Sequence, residues 1–137
     1  MKNTFSLIIG IIGSIVTYLF GGWDMALQTL LIFMAVDYIT GLIVAGVFKK
    51  SPKTKKGGLS SIIGWKGLCR KGMALLMVLI ACRLDMLVGT DFIRDTVIIA
   101  YCTNELISII ENAGVMGVPI PKTIQNAIES LKSKECE

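Results

Sequence analysis

Three ionisable residues, Asp37, Arg83 and Glu105, stand inside long apolar stretches of this chain. Charges so placed pair across helices, line water or pass protons and ions, because a lone charge among apolar side chains is expensive. Nothing around them suggests covalent catalysis. Histidine is absent, which removes His-based metal sites, the usual serine-histidine nucleophile and a histidine pH switch. No serine, cysteine or acidic residue stands in a nucleophile-and-base motif, and no glycine-rich phosphate loop occurs. Cys69, Cys82, Cys102 and Cys136 are spaced 13, 20 and 34 apart, matching neither CxxC pairs nor a disulfide framework. They read as small apolar side chains in a reducing compartment. The expectation is a protein that is not an enzyme and uses no cofactor or metal.

Composition dictates the elements that must hold these charges. At 137 residues, 53% hydrophobic and with a mean hydropathy of +0.70, the chain is too apolar for a small soluble core to absorb. Lys2 and Asp24 are separated by 21 uncharged residues, long enough for one helix to cross a bilayer. Gly21-Gly22-Trp23-Asp24 reads as a tight turn rather than a signal-peptidase site. The fold class expected is an all-α integral membrane protein, a single domain over 1–137. Its four spans fall at about 4–22, 25–48, 72–89 and 92–112, followed by a short amphipathic helix at about 122–133.

Asp37 lies about twelve residues from either end of the second span. The twelve Leu, Ile, Phe and Val residues of that span contribute roughly −4 to −7 kcal/mol to insertion, against about +3 for one central Asp. Insertion wins. Orientation follows from Lys49, Lys50, Lys53, Lys55, Lys56, Lys66, Arg70 and Lys71, eight cations with no anion between them. The positive-inside rule puts that 49–71 loop in the cytoplasm, and with four spans both termini are expected there as well. The net charge of +4 is thus topology and not a nucleic-acid footprint, while Lys49 to Lys56 also suits anionic lipid headgroups. Beyond Asn112, the run Gly114, Gly117, Pro119 and Pro121 breaks the helix. Ile124, Ala127, Ile128 and Leu131 then share one face, which can lie on the membrane, pack on the cytoplasmic loop or meet a neighbouring subunit.

Helical spacing sorts the spans into faces. In the first, Ser6, Gly10, Gly13, Ser14, Thr17 and Gly21 fall within about 100° of arc, and small residues in register let helix backbones approach closely in lipid. That face serves either packing within the chain or a seam between subunits. The second span repeats the device at Gly41 and Ala45, beside Asp37 and Thr40. In the fourth, Arg94, Tyr101, Glu105, Ser108 and Asn112 lie within about 60°, Asn104 widens the stripe, and 18 residues carry it about 27 Å. So long a polar stripe is either glue between helices or the lining of a lumen. Arg83 and Asp85, two residues apart, point to opposite faces; Arg83 snorkels outward or reaches an acid on another helix, Asp37 being the deeper candidate, and Asp85 is expected to meet water near the outer interface.

Asn104-Glu105-Leu106-Ile107-Ser108-Ile109-Ile110-Glu111-Asn112, followed by Gly117-Val118-Pro119-Ile120-Pro121, resembles the carboxyl-terminal motif of a phage holin family that includes holin-like toxin-secretion proteins. Asp37-Tyr38-Ile39-Thr40-Gly41-Leu42, Ser60-Ser61 and Gly64-Trp65-Lys66-Gly67-Leu68-Cys69-Arg70-Lys71-Gly72 are similar to the same family, so the likeness spans roughly 35–131. The resemblance implies a homo-oligomer in the bacterial host's cytoplasmic membrane, made late in infection, that forms lesions through which an endolysin reaches the wall. Its partners would be copies of itself, membrane lipids and the endolysin or, in the toxin-secretion branch, an exported toxin. A small ion channel or transporter built on Asp37, Arg83 and Glu105 is the alternative from another class, although no inverted repeat is visible.

Overall fold

The computed structural model describes residues 1–136. These form five helices with no strand among the described residues: α1 (Lys2–Leu19), α2 (Met25–Gly46), α3 (Ser61–Val88), α4 (Ile93–Val115) and α5 (Lys122–Glu135). Local chemistry sets their ends. Asp24 caps α2, its carboxylate accepting from the Leu27 N–H at 3.0 Å, and Ser60 caps α3 in the same way through Ile63. Gly89 ends α3 in the left-handed conformation at φ 80°, its N–H returning to the Asp85 carbonyl.

The cap at Ser60 has a large consequence. Helix α3 begins eleven residues before the expected span at 72, so Lys66, Arg70 and Lys71 stand on a 28-residue helix and not in a loop. The irregular basic connection shrinks to the segment between Val47 and Ser60.

Helix α4 is the centre of the molecule, packing most extensively on α2 and also on α3 and α5. Leu27, Leu30 and Met34 of α2 meet Ala74 and Val78 of α3 and Ile98 and Cys102 of α4 in one apolar core. The i, i+3, i+7 spacing on α2 and the i, i+4 spacing on α3 and α4 turn these residues to a common seam. The outward face is apolar too. Ile32, Ile39, Leu76 and Leu87 are exposed, Leu87 at 82%, a distribution that suits lipid better than water. Two helices, α1 and α2, are long and apolar enough to cross a membrane.

Helix α1 buries no residue. Only its carboxyl end is held, where Phe20 packs against the core. Helix α5 folds back on α4 through Ile128, its one buried residue. The turn at Gly117, φ 80°, reverses the chain toward α4.

Candidate functional site

The polar residues of the helical bundle gather into two centres, both built on α4. About 16 Å of helix separates Arg94 from Glu105, eleven residues on.

The inner centre draws one charged side chain from each of α2, α3 and α4. Lys71 Nζ donates to Asp37 Oδ2 at 2.7 Å and to Glu105 Oε2, and all three side chains are nearly buried. Asn112, two turns beyond Glu105, donates its amide to Asp37 Oδ1 at 3.2 Å and to Thr40 Oγ1 at 2.9 Å. Thr40 donates its hydroxyl to the Val36 carbonyl at 2.8 Å. Two carboxylates thus share one ammonium inside a bundle of apolar helices. Such a group persists only while its cation stays, since removing Lys71 leaves two buried acids without compensation, whereas removing either acid leaves a balanced pair. Spacing could not reveal Lys71 as the partner of Asp37, because the two are 34 residues apart in sequence. The signal that could have found it is Ser60, a cap that begins the helix early enough to carry Lys71 inward.

The outer centre is a clamp. Arg94 uses its whole guanidinium: Nη1 and Nη2 donate to the two oxygens of Asp24 at 2.8 and 3.1 Å, Nε to the Phe20 carbonyl at 2.6 Å, Nη2 to the Gly22 carbonyl and Nη1 to Asp95. The planar fork matches carboxylate and carbonyl together, which an ammonium could not do. Behind it, Asp85 of α3 accepts from the backbone N–H groups of Ile93 and Arg94 and from Thr90, capping α4 from outside that helix. Asp24, in the turn, has its carboxyl held below the usual range chiefly by the hydrogen bond from Arg94, against a smaller opposing effect of burial.

The expected residues therefore separate. Of the stripe on α4, Arg94 belongs to the outer centre and Glu105 and Asn112 to the inner one; Tyr101 and Ser108 are half-buried between helices, and Asn104 is exposed. The deep candidate for Arg83 is corrected: Asp37 is occupied by Lys71, while Arg83 is exposed and reaches the Met86 sulfur. Asp85 is buried rather than wet, because the start of α4 folds over it. Gly41 and Ala45 face inward, Gly41 toward Asn112 and Ala45 buried at 7%, so this small-residue pair admits α4 of the same chain. Gly21 lies past the end of α1 at φ 78°, where a Cβ would stand 2.8 Å from the Cys82 sulfur; it belongs to the turn that the clamp holds. Ser6, Gly10, Gly13 and Ser14 remain on an open face, with nothing within 4 Å of either glycine's Cβ position. Lys49, Lys50, Lys53, Lys55 and Lys56 are all exposed. No cluster able to hold a metal ion occurs among the described residues.

Residues 14–133 match the Bacteriophage holin family. Among relatives, a 14.9 kDa protein of the nagH 3′ region of Clostridium perfringens is 40% identical over 126 residues, covering 90% of this chain and 89% of that protein. A Listeria monocytogenes protein is likewise 40% identical, over 91% of this chain and 84% of its own length. A Bacillus phage phi105 protein named as a probable holin is 32% identical over 117 residues, 85% of this chain and 80% of its own. No solved structure matches the chain.

Proposed function

This chain belongs to the bacteriophage holin family, and from that premise we propose that it gathers in the cytoplasmic membrane of a bacterium and opens it to let a cell-wall-degrading enzyme out. The observation that carries the reading is an apolar outer surface wrapped around a buried ionic centre, with one helix left unpartnered. Helices α1 to α4 each cross the bilayer, with the basic 49–60 connection and both chain ends on the cytoplasmic side. The charges of α3 and α4 do not forbid crossing, because Lys71, Glu105, Arg94 and Asp85 are turned inward and satisfied.

Assembly begins at the open face of α1. Ser6, Gly10, Gly13 and Ser14 let a second copy approach closely, and packing rather than hydrophobicity drives association in lipid. As copies accumulate, the side of α4 that carries Tyr101, Glu105, Ser108 and Asn112 exchanges partners within one chain for water in a closed ring. Steep dependence on surface density then delays the opening. The cargo in this reading is a phage endolysin. An exported toxin would use the same membrane step, and the neighbouring gene distinguishes the two.

Controlled expression with and without a cytoplasmic muralytic enzyme tests the reading, with optical density and membrane potential followed together. Abrupt lysis that needs the enzyme is expected. Ion-selective currents of fixed unitary size, without passage of a folded protein, would instead establish a channel. In the same assay, replacing Glu105 and Ser108 together by Leu delays or abolishes lysis at unchanged membrane accumulation, and unaltered timing removes that side of α4 from the mechanism.

A further inference from the structure

A cavity of about 100 Å³ opens between the end of α2, the 51–60 connection and the first turns of α3. It is large enough for roughly three waters at about 30 Å³ each, or for one phosphate group. Ser51, Lys53, Thr54, Ser60 and Arg70 line its polar side, together with Tyr38 and the inner centre's Asp37, whose charge is already taken up by Lys71 and Asn112. Gly64 and Gly67 keep its α3 wall open, with nothing within 4 Å of the Cβ position at Gly67. Three features set it apart from a packing defect. The Thr54 hydroxyl is buried and has no hydrogen-bond partner among the described residues. Neither Lys53 nor Arg70 has an ion-pair partner among the described residues, while the neighbouring Lys71 is committed to Asp37 and Glu105. Finally, Lys49, Lys50, Lys55, Lys56 and Lys66 belong to the same stretch of chain as the cavity's 51–70 lining, with no acid between Lys49 and Arg70.

We propose that this cavity binds the phosphate of an anionic phospholipid, with Arg70 and Lys53 supplying charge and Thr54 donating its hydroxyl. A basic pocket between helices at the cytoplasmic face is the arrangement that captures acidic headgroups. The apolar surroundings select a lipid over a free ion. Leu59 lines the cavity and is itself exposed, and Ile62, Trp65 and Leu68 of the same α3 turns are exposed too, Trp65 at 67%, apolar surface for acyl chains at the level where tryptophan marks the interface. The proposal rests on the membrane orientation given above, not on lysis, and its readout is binding.

The test uses the full chain in neutral detergent, with retained lipid read by native mass spectrometry after addition of phosphatidylglycerol or phosphatidylcholine. Phosphatidylglycerol is expected to stay bound at one molecule per chain, and phosphatidylcholine to be lost. Arg70→Ala weakens retention about fivefold, the effect of one cation near a lipid surface, and Lys53→Ala does the same. Thr54→Val, which keeps the side-chain volume, also weakens it, whereas Lys134→Ala removes equal charge on α5 and changes nothing. Helicity measured by circular dichroism verifies that each variant is folded. Equal retention of both lipids, or an equal loss from Lys134→Ala, overturns the site in favour of diffuse charge. Displacement by inorganic phosphate at millimolar concentration overturns the lipid assignment in favour of a free anion.

Discussion

The two ionic centres use similar residue types in opposite ways. At the outer one, a single arginine faces carboxylates and backbone carbonyls at the ends of helices, where Asp24 and Asp95 remain half exposed. The inner one sets two acids against one lysine in the middle of three helices, with all three side chains nearly buried. The outer centre therefore fixes geometry: it ties the α1–α2 turn to the start of α4. The inner centre stores an electrostatic liability, because its two acids are tolerable only while the lysine stays. The assembly proposed above, in which a protomer first holds together and later rearranges, uses both kinds of joint.

The largest expected effect breaks the inner centre. Lys71→Met leaves Asp37 and Glu105 facing each other without a cation and lowers stability by about 3–5 kcal/mol, read as a fall in denaturation midpoint in micelles. Combining it with Asp37→Asn and Glu105→Gln restores most of that loss. A single variant as stable as the parent would show that the lysine is not what makes the acids tolerable.

Arg94→Lys comes next. It keeps the charge but loses the fork, so the contacts to Phe20, Gly22 and one oxygen of Asp24 are given up at a cost of about 2 kcal/mol. Loosening is expected at α1 first, visible as faster amide exchange near Phe20, with the α2–α4 core unchanged.

Acid gives a smaller effect at the outer centre. The Asp24 carboxyl titrates below its ordinary value of 3.8, so its contribution is complete above that value and disappears as pH falls through the lower folded one. The clamp is therefore insensitive to pH from about 5 to 8 and weakens below about 4. In Asp24→Asn the clamp's response to acid is flatter, as amide exchange at Phe20 across that range would register.

The smallest effect on stability belongs to Gly10→Leu, since nothing lies within 4 Å of the position. Thermal midpoints should not move, yet crosslinked oligomers should weaken. An undiminished ladder would take the α1 face out of assembly and leave the comparison to the two ionic centres alone.

Much of this was readable from residue types. The twelve branched and aromatic side chains around Asp37 announce a helix that tolerates an acid, and Glu105 and Asn112 share a face through helical spacing alone. Lys71 was hidden by its company: seven other cations in the same stretch read as one loop, and only the cap at Ser60 separates the helix-borne ones from the rest. Arg94 fell on the right helix face with the wrong companions. Angular position on a helix says which residues align, but not which neighbour's turn arrives opposite them. Asp24, which reads as a turn residue, proves to be both the cap of α2 and the anchor of Arg94.

What the sequence determined alone is periodic and local: five helices, their apolar character, the absence of histidine and the charge asymmetry between the basic 49–71 stretch and the turns near Asp24 and Asp91. These depend on spacing within one element. Tertiary structure decided the partners. It brought Asp37, Lys71 and Glu105 together across 34-residue separations and turned Gly41 and Ala45 inward. It also left α1 with an open face. Contacts between helices depend on how three axes cross, and no single helix carries that information in its own repeat.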